Sequence, residues 1–262
     1  MGEIASFEKS LWVITILVEA GLAALLVYRR NYRAFPLFFA YMLAATMQNG
    51  ILLVSYRVWG FKSALSVGMA WSTQLVVVLA RGLAVGEIWW RVLGKYRGIW
   101  ALAWRVLVAS GVAVVVYASA VASFEWRYVE LHADRGLELA ITVEILVLFL
   151  FAHYYEVEME PAVCSLAIGF FLYSCFLVLN DTFLERWKLN YATLWNLLGT
   201  LAYLASMLLW GWALRKEQRV RTTDPPLLSE NVYQALAPEI NFRLKLLNDH
   251  LNQFWNAEAK KP

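Results

Sequence analysis

The chain has 262 residues, 61% of them hydrophobic and 16% charged, with a mean hydropathy of +0.53 and a formal net charge of +3. A soluble domain carries about 25% charged residues, so this deficit places the chain in the membrane class. The small, dispersed positive charge gives no basis for a nucleic-acid partner.

About 20 apolar residues cross the hydrocarbon core of a bilayer, and seven segments of that length follow one another in the sequence. The first is Leu11 to Tyr28. Residues 1–10 lack a basic leader and no small-residue cleavage site follows, so this segment reads as a retained anchor. The second is Phe35 to Tyr56, with Pro36 suited to a first helical turn. Ala64 to Leu93 is the third, long enough to tilt. Gly98 to Ser123, Leu137 to Tyr155, Pro161 to Leu179 and Ala192 to Leu214 complete the set. The connections are short, which predicts antiparallel neighbours in one bundle. Cys164 and Cys175 lie in one run, roughly 16 Å apart along a helix, too far for a disulfide within it.

The fold class is therefore all-α: a polytopic membrane protein with a seven-helix transmembrane domain over residues 1–215. Residues 216–237 read as a polar linker broken by Pro225 and Pro226, and 238–262 as a cytoplasmic amphipathic helix and tail. In that helix Ile240, Leu244, Leu247, Leu251 and Phe254 recur at four- and three-residue intervals. The stripe suits packing on the membrane surface or on the bundle's own loops, or docking of a protein partner. Two heptads are too few for a self-standing coiled coil.

Orientation follows the Lys and Arg of the loops. Arg29, Arg30, Arg33, Arg91, Lys95, Arg97, Arg215, Lys216, Arg219 and Arg221 lie on one side, ten in all. Lys9, Arg57, Lys62, Arg127, Arg135, Arg186 and Lys188, seven in all, lie on the other. The balance predicts an outside N-terminus and a cytoplasmic C-terminus, and the compact size and short loops fit a bacterial inner membrane. Trp89, Trp90, Trp100, Trp104, Trp210 and Trp212 fall at the predicted inner ends of the spans. Trp12, Trp59, Trp126, Trp187 and Trp195 fall at the outer ends, where indole rings suit the membrane boundary.

Ionisable residues inside a span cost about 2.5 to 3.5 kcal/mol each on insertion scales, so they mark structure or function. Glu19, Arg81, Glu87, Glu138 and Glu144 stand out. Arg81 and Glu87 are six residues apart, about 120° around a helix, and cannot pair with each other. Helical side chains lean toward the N-terminus, which turns Arg81 away from the cytoplasm and toward the midplane. The expected partner of Arg81 is Glu144, then Glu19. Glu87 is expected at the inner interface beside Trp89, Trp90 and Arg91. Gln48, Asn49 and Gln74 lie at compatible depths. With Arg81, Glu144 and Glu19 they form the candidate intramembrane site for a small ligand or a proton. Asn196, near the outer end of the seventh span, is a further polar candidate. Gly82 and Gly86 form a GxxxG spacing that predicts close helix approach.

Several chemistries fail on the residues present. None of the eight lysines lies within a span, which excludes a retinal Schiff base. The three histidines are in distant segments, which excludes a clustered zinc site or bis-histidine haem. No intramembrane aspartyl pair is read, because Asp134 and Asp181 fall at predicted helix ends. His153 with Glu156, Glu158 and Glu160 matches no strong metal motif and reads as an acidic turn facing Arg91, Lys95 or Arg97. Neither a cofactor nor a metal is expected. The reading is a non-enzymatic membrane protein, receptor-like or sensory, in contact with the lipid bilayer. A proton-coupled carrier and a non-catalytic subunit of a larger membrane complex are the alternatives. Seven spans are shared by receptors and light-driven pumps, a likeness of architecture that carries no function.

Overall fold

The computed structural model describes residues 6–60, 63–121, 126–187, 192–218 and 239–258. Eight α-helices appear among the described residues: α1 Ser6–Tyr28, α2 Pro36–Val58, α3 Ala64–Leu93, α4 Arg97–Val121, α5 Trp126–Tyr154, α6 Pro161–Trp187, α7 Ala192–Ala213 and α8 Glu239–Glu258. A 3-10 turn, Asn31–Arg33, joins α1 to α2, and no strand occurs among the described residues. Helices satisfy their backbone polar groups internally, which a long apolar chain needs in lipid. Pro36 sits at the start of α2, where a missing N–H costs nothing. Gly60 takes φ +77° just after α2 ends, a conformation that suits glycine.

Among the described residues five helices are long and apolar enough to cross a membrane: Ser10–Tyr28, Pro36–Val58, Gly98–Val121, Ala133–Tyr154 and Pro161–Leu179. That is fewer than the seven spans read from the sequence. Helix α3 carries Arg81, Glu87 and Arg91, all buried, in its second half.

Helix α3 is the hub. It touches α2, α4, α5 and α6, while α7 closes against α6 and α1. Its buried face runs through Val77, Ala84, Val85, Ile88 and Val92. A helix enclosed on most sides needs apolar residues most of the way round, so any charge on it must find a partner from a neighbour. Helix α4 is the least buried of the candidate spans, and Leu102, Val106, Val112 and Val116 on it are exposed.

Four expectations change. Helix α5 starts at Trp126 rather than Leu137, and α6 runs on to Trp187 rather than stopping at Leu179. Asp134 and Glu138 therefore both lie within a helix, one turn apart. Trp210 and Trp89, read as interface residues, are buried in the core. Trp210 stacks with Phe170 at 4.8 Å and meets Phe38 edge-on at 5.2 Å, and its Nε1 donates to the Leu166 carbonyl at 3.2 Å. Finally, the glycines that permit close approach are not Gly82 and Gly86. A Cβ at Gly82 would meet Leu137 at an ordinary 3.8 Å, and one at Gly86 would meet nothing within 4 Å. At Gly169, by contrast, a Cβ would overlap the Trp210 indole.

Helix α8 packs on α4. Leu244 is fully buried, and Leu247 and Leu251 pack against the core. Three residues of the proposed docking stripe thus face the bundle itself rather than an outside partner. The side chains of Ile240 and Phe254 lie outside the described residues, as does that of Asn196. Phe242 and Leu246 are exposed, so apolar residues occupy more than one face of α8.

Candidate functional site

A cluster of polar side chains from α1, α2, α3, α5, α6 and α7 occupies the bundle interior. One half centres on Glu19 of α1, which is wholly buried. The Asn49 side-chain amide donates to both of its oxygens, at 3.0 and 2.8 Å. The Tyr203 hydroxyl of α7 donates to Oε1 at 2.9 Å. Trp12 Nε1 in turn donates to Asn49 Oδ1 at 3.0 Å, which leaves Asn49 oriented with its amine toward the carboxylate. A buried carboxylate with three hydrogen bonds has the partners that burial demands.

The other half centres on Arg81. Its guanidinium forms an ion pair with Glu138 and lies 3.9 Å from Asp134 Oδ1. The Tyr41 and Tyr173 rings flank it, with Cζ 5.8 and 5.5 Å from their centroids, within the range of cation–π attraction. Asp134 also accepts from Gln74 Nε2 at 3.4 Å, and Gln48 Nε2 donates to Gln74 Oε1 at 2.9 Å. The tyrosines join the halves: the rings of Tyr173 and Tyr203 are 4.9 Å apart, and buried Tyr41 adjoins both Tyr203 and Arg81.

Five of the six residues proposed for this site, Arg81, Glu19, Gln48, Asn49 and Gln74, come together here. Glu144 does not. It accepts a hydrogen bond from Ser110 of α4, away from the cluster. The expected pairing of Arg81 with Glu144 or Glu19 is replaced by Glu138 and Asp134. Asp134 and Glu138, four residues apart on one helix, share a face, and that spacing is the sequence signal for the pair. A fifth span that begins at Leu137 leaves Asp134 outside the helix and hides the pair. Tyr41, Tyr173 and Tyr203 carry no signal above the general aromatic content. Arg105, on the exposed part of α4, is a further ionisable residue within a candidate span.

A second group sits at the α3 C-terminal end. Glu87, expected near Trp89, Trp90 and Arg91, lies beside the start of α2. It is buried, and its carboxylate accepts the backbone N–H of Phe38 at 2.8 Å and of Leu37 at 3.3 Å. These are orphan donors in the first turn of α2, so α3 supplies a cap for another helix. One turn on, Arg91 donates to the Ala34 carbonyl, lies over the Phe35 ring at 4.1 Å and pairs with Glu160 at 3.2 Å. The acidic turn thus does face a cation of the neighbouring segment. Among the described residues no group of three His, Cys, Asp or Glu is placed to hold a metal.

Asn31 completes this end. It is fully buried in the 3-10 turn. Its Nδ2 donates to the carbonyls of Leu214 and Lys216 at 2.8 and 3.0 Å, and its Oδ1 accepts from Gln218 N at 2.7 Å. One side chain therefore ties the α1–α2 turn to the C-terminal end of α7. Comparison with family models, with curated proteins and with solved structures gives no match.

Proposed function

We propose that this chain is a small receptor-like, sensory membrane protein whose buried polar cluster takes up a proton or a small polar ligand. On this reading α1–α7 all cross the bilayer, with the N-terminus outside and α8 in the cytoplasm. Charge balance supports the orientation. So does the tying of three basic segments into one end of the bundle: the α1–α2 turn, the end of α3 and the end of α7.

The observation that carries the functional reading is that α7 belongs to both centres. Tyr203 contacts the carboxylate of Glu19, and Leu214, roughly 16 Å further along the same helix, is held by Asn31. A change of charge at Glu19 alters what the Tyr203 hydroxyl donates to, and α7 is the rigid element that passes the shift to its cytoplasmic end. Both ends of the connection are hydrogen bonds made by side chains, Tyr203 to Glu19 and Asn31 to the Leu214 carbonyl.

The test is acidification of the protein in proteoliposomes, read two ways. A sensor shows amide protection at residues 206–218, corrected for the intrinsic base-catalysed rate, that changes with pH with no proton flux, and Glu19→Gln removes that change. Proton flux that Glu19→Gln abolishes would instead establish the carrier. Protection that ignores both pH and Glu19 would leave the cluster as a strut and sink the sensory reading.

A further inference from the structure

The outward face of α8 has a composition that the bundle does not use. Leu244 is buried against the bundle. Positions 242 and 246 lie about 160° around the helix from it, since each residue turns roughly 100°. Both are apolar and exposed, Phe242 at 55% and Leu246 at 43%. The same strip continues through Asp249 and Gln253, which are also exposed and are polar. The strip is therefore graded, apolar at its N-terminal half and polar at its C-terminal half.

The height of α8 is set by a specific contact. Gly98 is the first residue of the candidate span Gly98–Val121, and its N–H donates to Asn248 Oδ1 at 2.9 Å. A Cβ at Gly98 would meet Leu251 Cβ at 3.0 Å and the Asn252 nitrogen at 3.1 Å. Helix α8 thus touches α4 at the point where α4 enters the apolar layer. Phe242 is six residues from Asn248, roughly 9 Å along the axis. On α4 the exposed surface just inside this point is apolar at Leu102, Trp104 and Val106, with Arg105 among them.

We infer that α8 is an interfacial membrane helix with two occupied faces: Leu244, Leu247 and Leu251 hold the bundle, while Phe242 and Leu246 enter the lipid headgroup–acyl boundary. The occupant is the bilayer because α8 is anchored to α4 at the residue where that candidate span begins, and a helix with an apolar strip at this level lies in the interface plane. The grading tilts the helix, with its N-terminal half in lipid and Asp249 and Gln253 in water. The inference does not depend on whether the polar cluster senses protons.

Nitroxide labels test it on the full-length chain with Cys164→Ser and Cys175→Ser, in nanodiscs of phosphatidylcholine and phosphatidylglycerol. Labels go at Phe242→Cys, Leu246→Cys, Asp249→Cys and Gln253→Cys, with Val112→Cys as the lipid-exposed standard. Collisions with oxygen, which concentrates in lipid, are compared with those of a water-soluble nickel chelate. The expected result is an oxygen-to-nickel ratio at 242 below the mid-span Val112 standard but several-fold above that at 249 and 253, with 246 in between. Equal access of nickel to all four positions would overturn the inference. So would labels at 242 and 246 shielded from both reagents, which would mean that protein covers the strip.

Discussion

Replacing Arg81 with methionine removes the cation and keeps an apolar side chain of useful length, so it isolates the charge. Arg81 and Glu138 have side chains only 5% and 3% exposed, whereas Asp134 is 32% exposed. Asp134 can keep a hydration shell; Glu138 cannot. At the 3.9 Å separation from Asp134, an effective dielectric near 20 gives about 4 kcal/mol of attraction before desolvation is subtracted. Removing one partner of a buried pair costs about 3–5 kcal/mol, because the other charge is left uncompensated. Arg81→Met should therefore destabilise by about 3 kcal/mol or more. Adding Glu138→Leu should recover most of that loss, since an apolar pair in place of a buried ion pair is often neutral or stabilising. The assay is reversible unfolding in mixed detergent micelles, run as a double-mutant cycle. Glu144→Gln supplies the control: it sits with Ser110, outside the cluster, so its effect should add to that of Arg81→Met within about 0.5 kcal/mol. A loss below about 1 kcal/mol for Arg81→Met, or a coupling to Glu144 as large as that to Glu138, would refute the assignment.

Two further substitutions probe the other end of the bundle. Asn31→Ala removes three hydrogen bonds to residues 214–218 and takes the side-chain donor from the buried Leu214 carbonyl, a local cost of about 1–3 kcal/mol; amide exchange should rise at Gln218 and stay unchanged in α4. Glu87→Ala orphans the Leu37 and Phe38 N–H groups and removes a negative charge from the start of α2, so thermal stability should fall as for a lost helix cap, about 0.5–2 kcal/mol. Glu87→Gln, which keeps one acceptor, should lose less, and equal losses for the two variants would refute the capping role.

How much of this was legible in the sequence depends on what each residue answers to. Apolar run length depends on the chain alone, so the helices and most of their starts could be read directly; Pro36 and Pro161 open α2 and α6 as expected. Polar residues in apolar runs could likewise be singled out, because their cost is local, and Glu19, Asn49, Gln48, Gln74 and Arg81 converge in the structure. The partners were not legible in the same way. Which carboxylate meets Arg81 depends on the rotation of α5 and on where α5 begins, and moving that start from Leu137 to Trp126 brings Asp134 into a helical face with Glu138. Depth alone favoured Glu144, which is turned toward α4 instead. Glu87 and Asn31 were hidden for another reason. They satisfy backbone groups of other segments, and a backbone donor or acceptor leaves no trace in sequence. Trp210 was misplaced because a tryptophan at a span end suits an interface and a core equally; the space opened by Gly169 decides for the core.

The two polar groups differ in what their neighbours permit, and this bears on which of them can respond to a signal. Glu87 accepts from two backbone amides and lies one turn from Arg91, so protonating it would give up a helix cap. That arrangement favours one charge state and suits a strut. Glu19 accepts only from side chains, Asn49 and Tyr203, and the Tyr203 hydroxyl can reverse from donor to acceptor by a rotation about its C–O bond. A protonated Glu19 can then donate to the oxygen that formerly donated to it, with no backbone group left unmet. Arg81, held by two carboxylates and two rings, supplies a fixed charge beside this adjustable pair. Within the cluster the switchable position is therefore Glu19 with Tyr203, and Tyr203→Phe separates the roles. It removes the reversible partner while keeping the ring beside Tyr173, so the pH-dependent change in protection at residues 206–218 should be lost while the fold is retained.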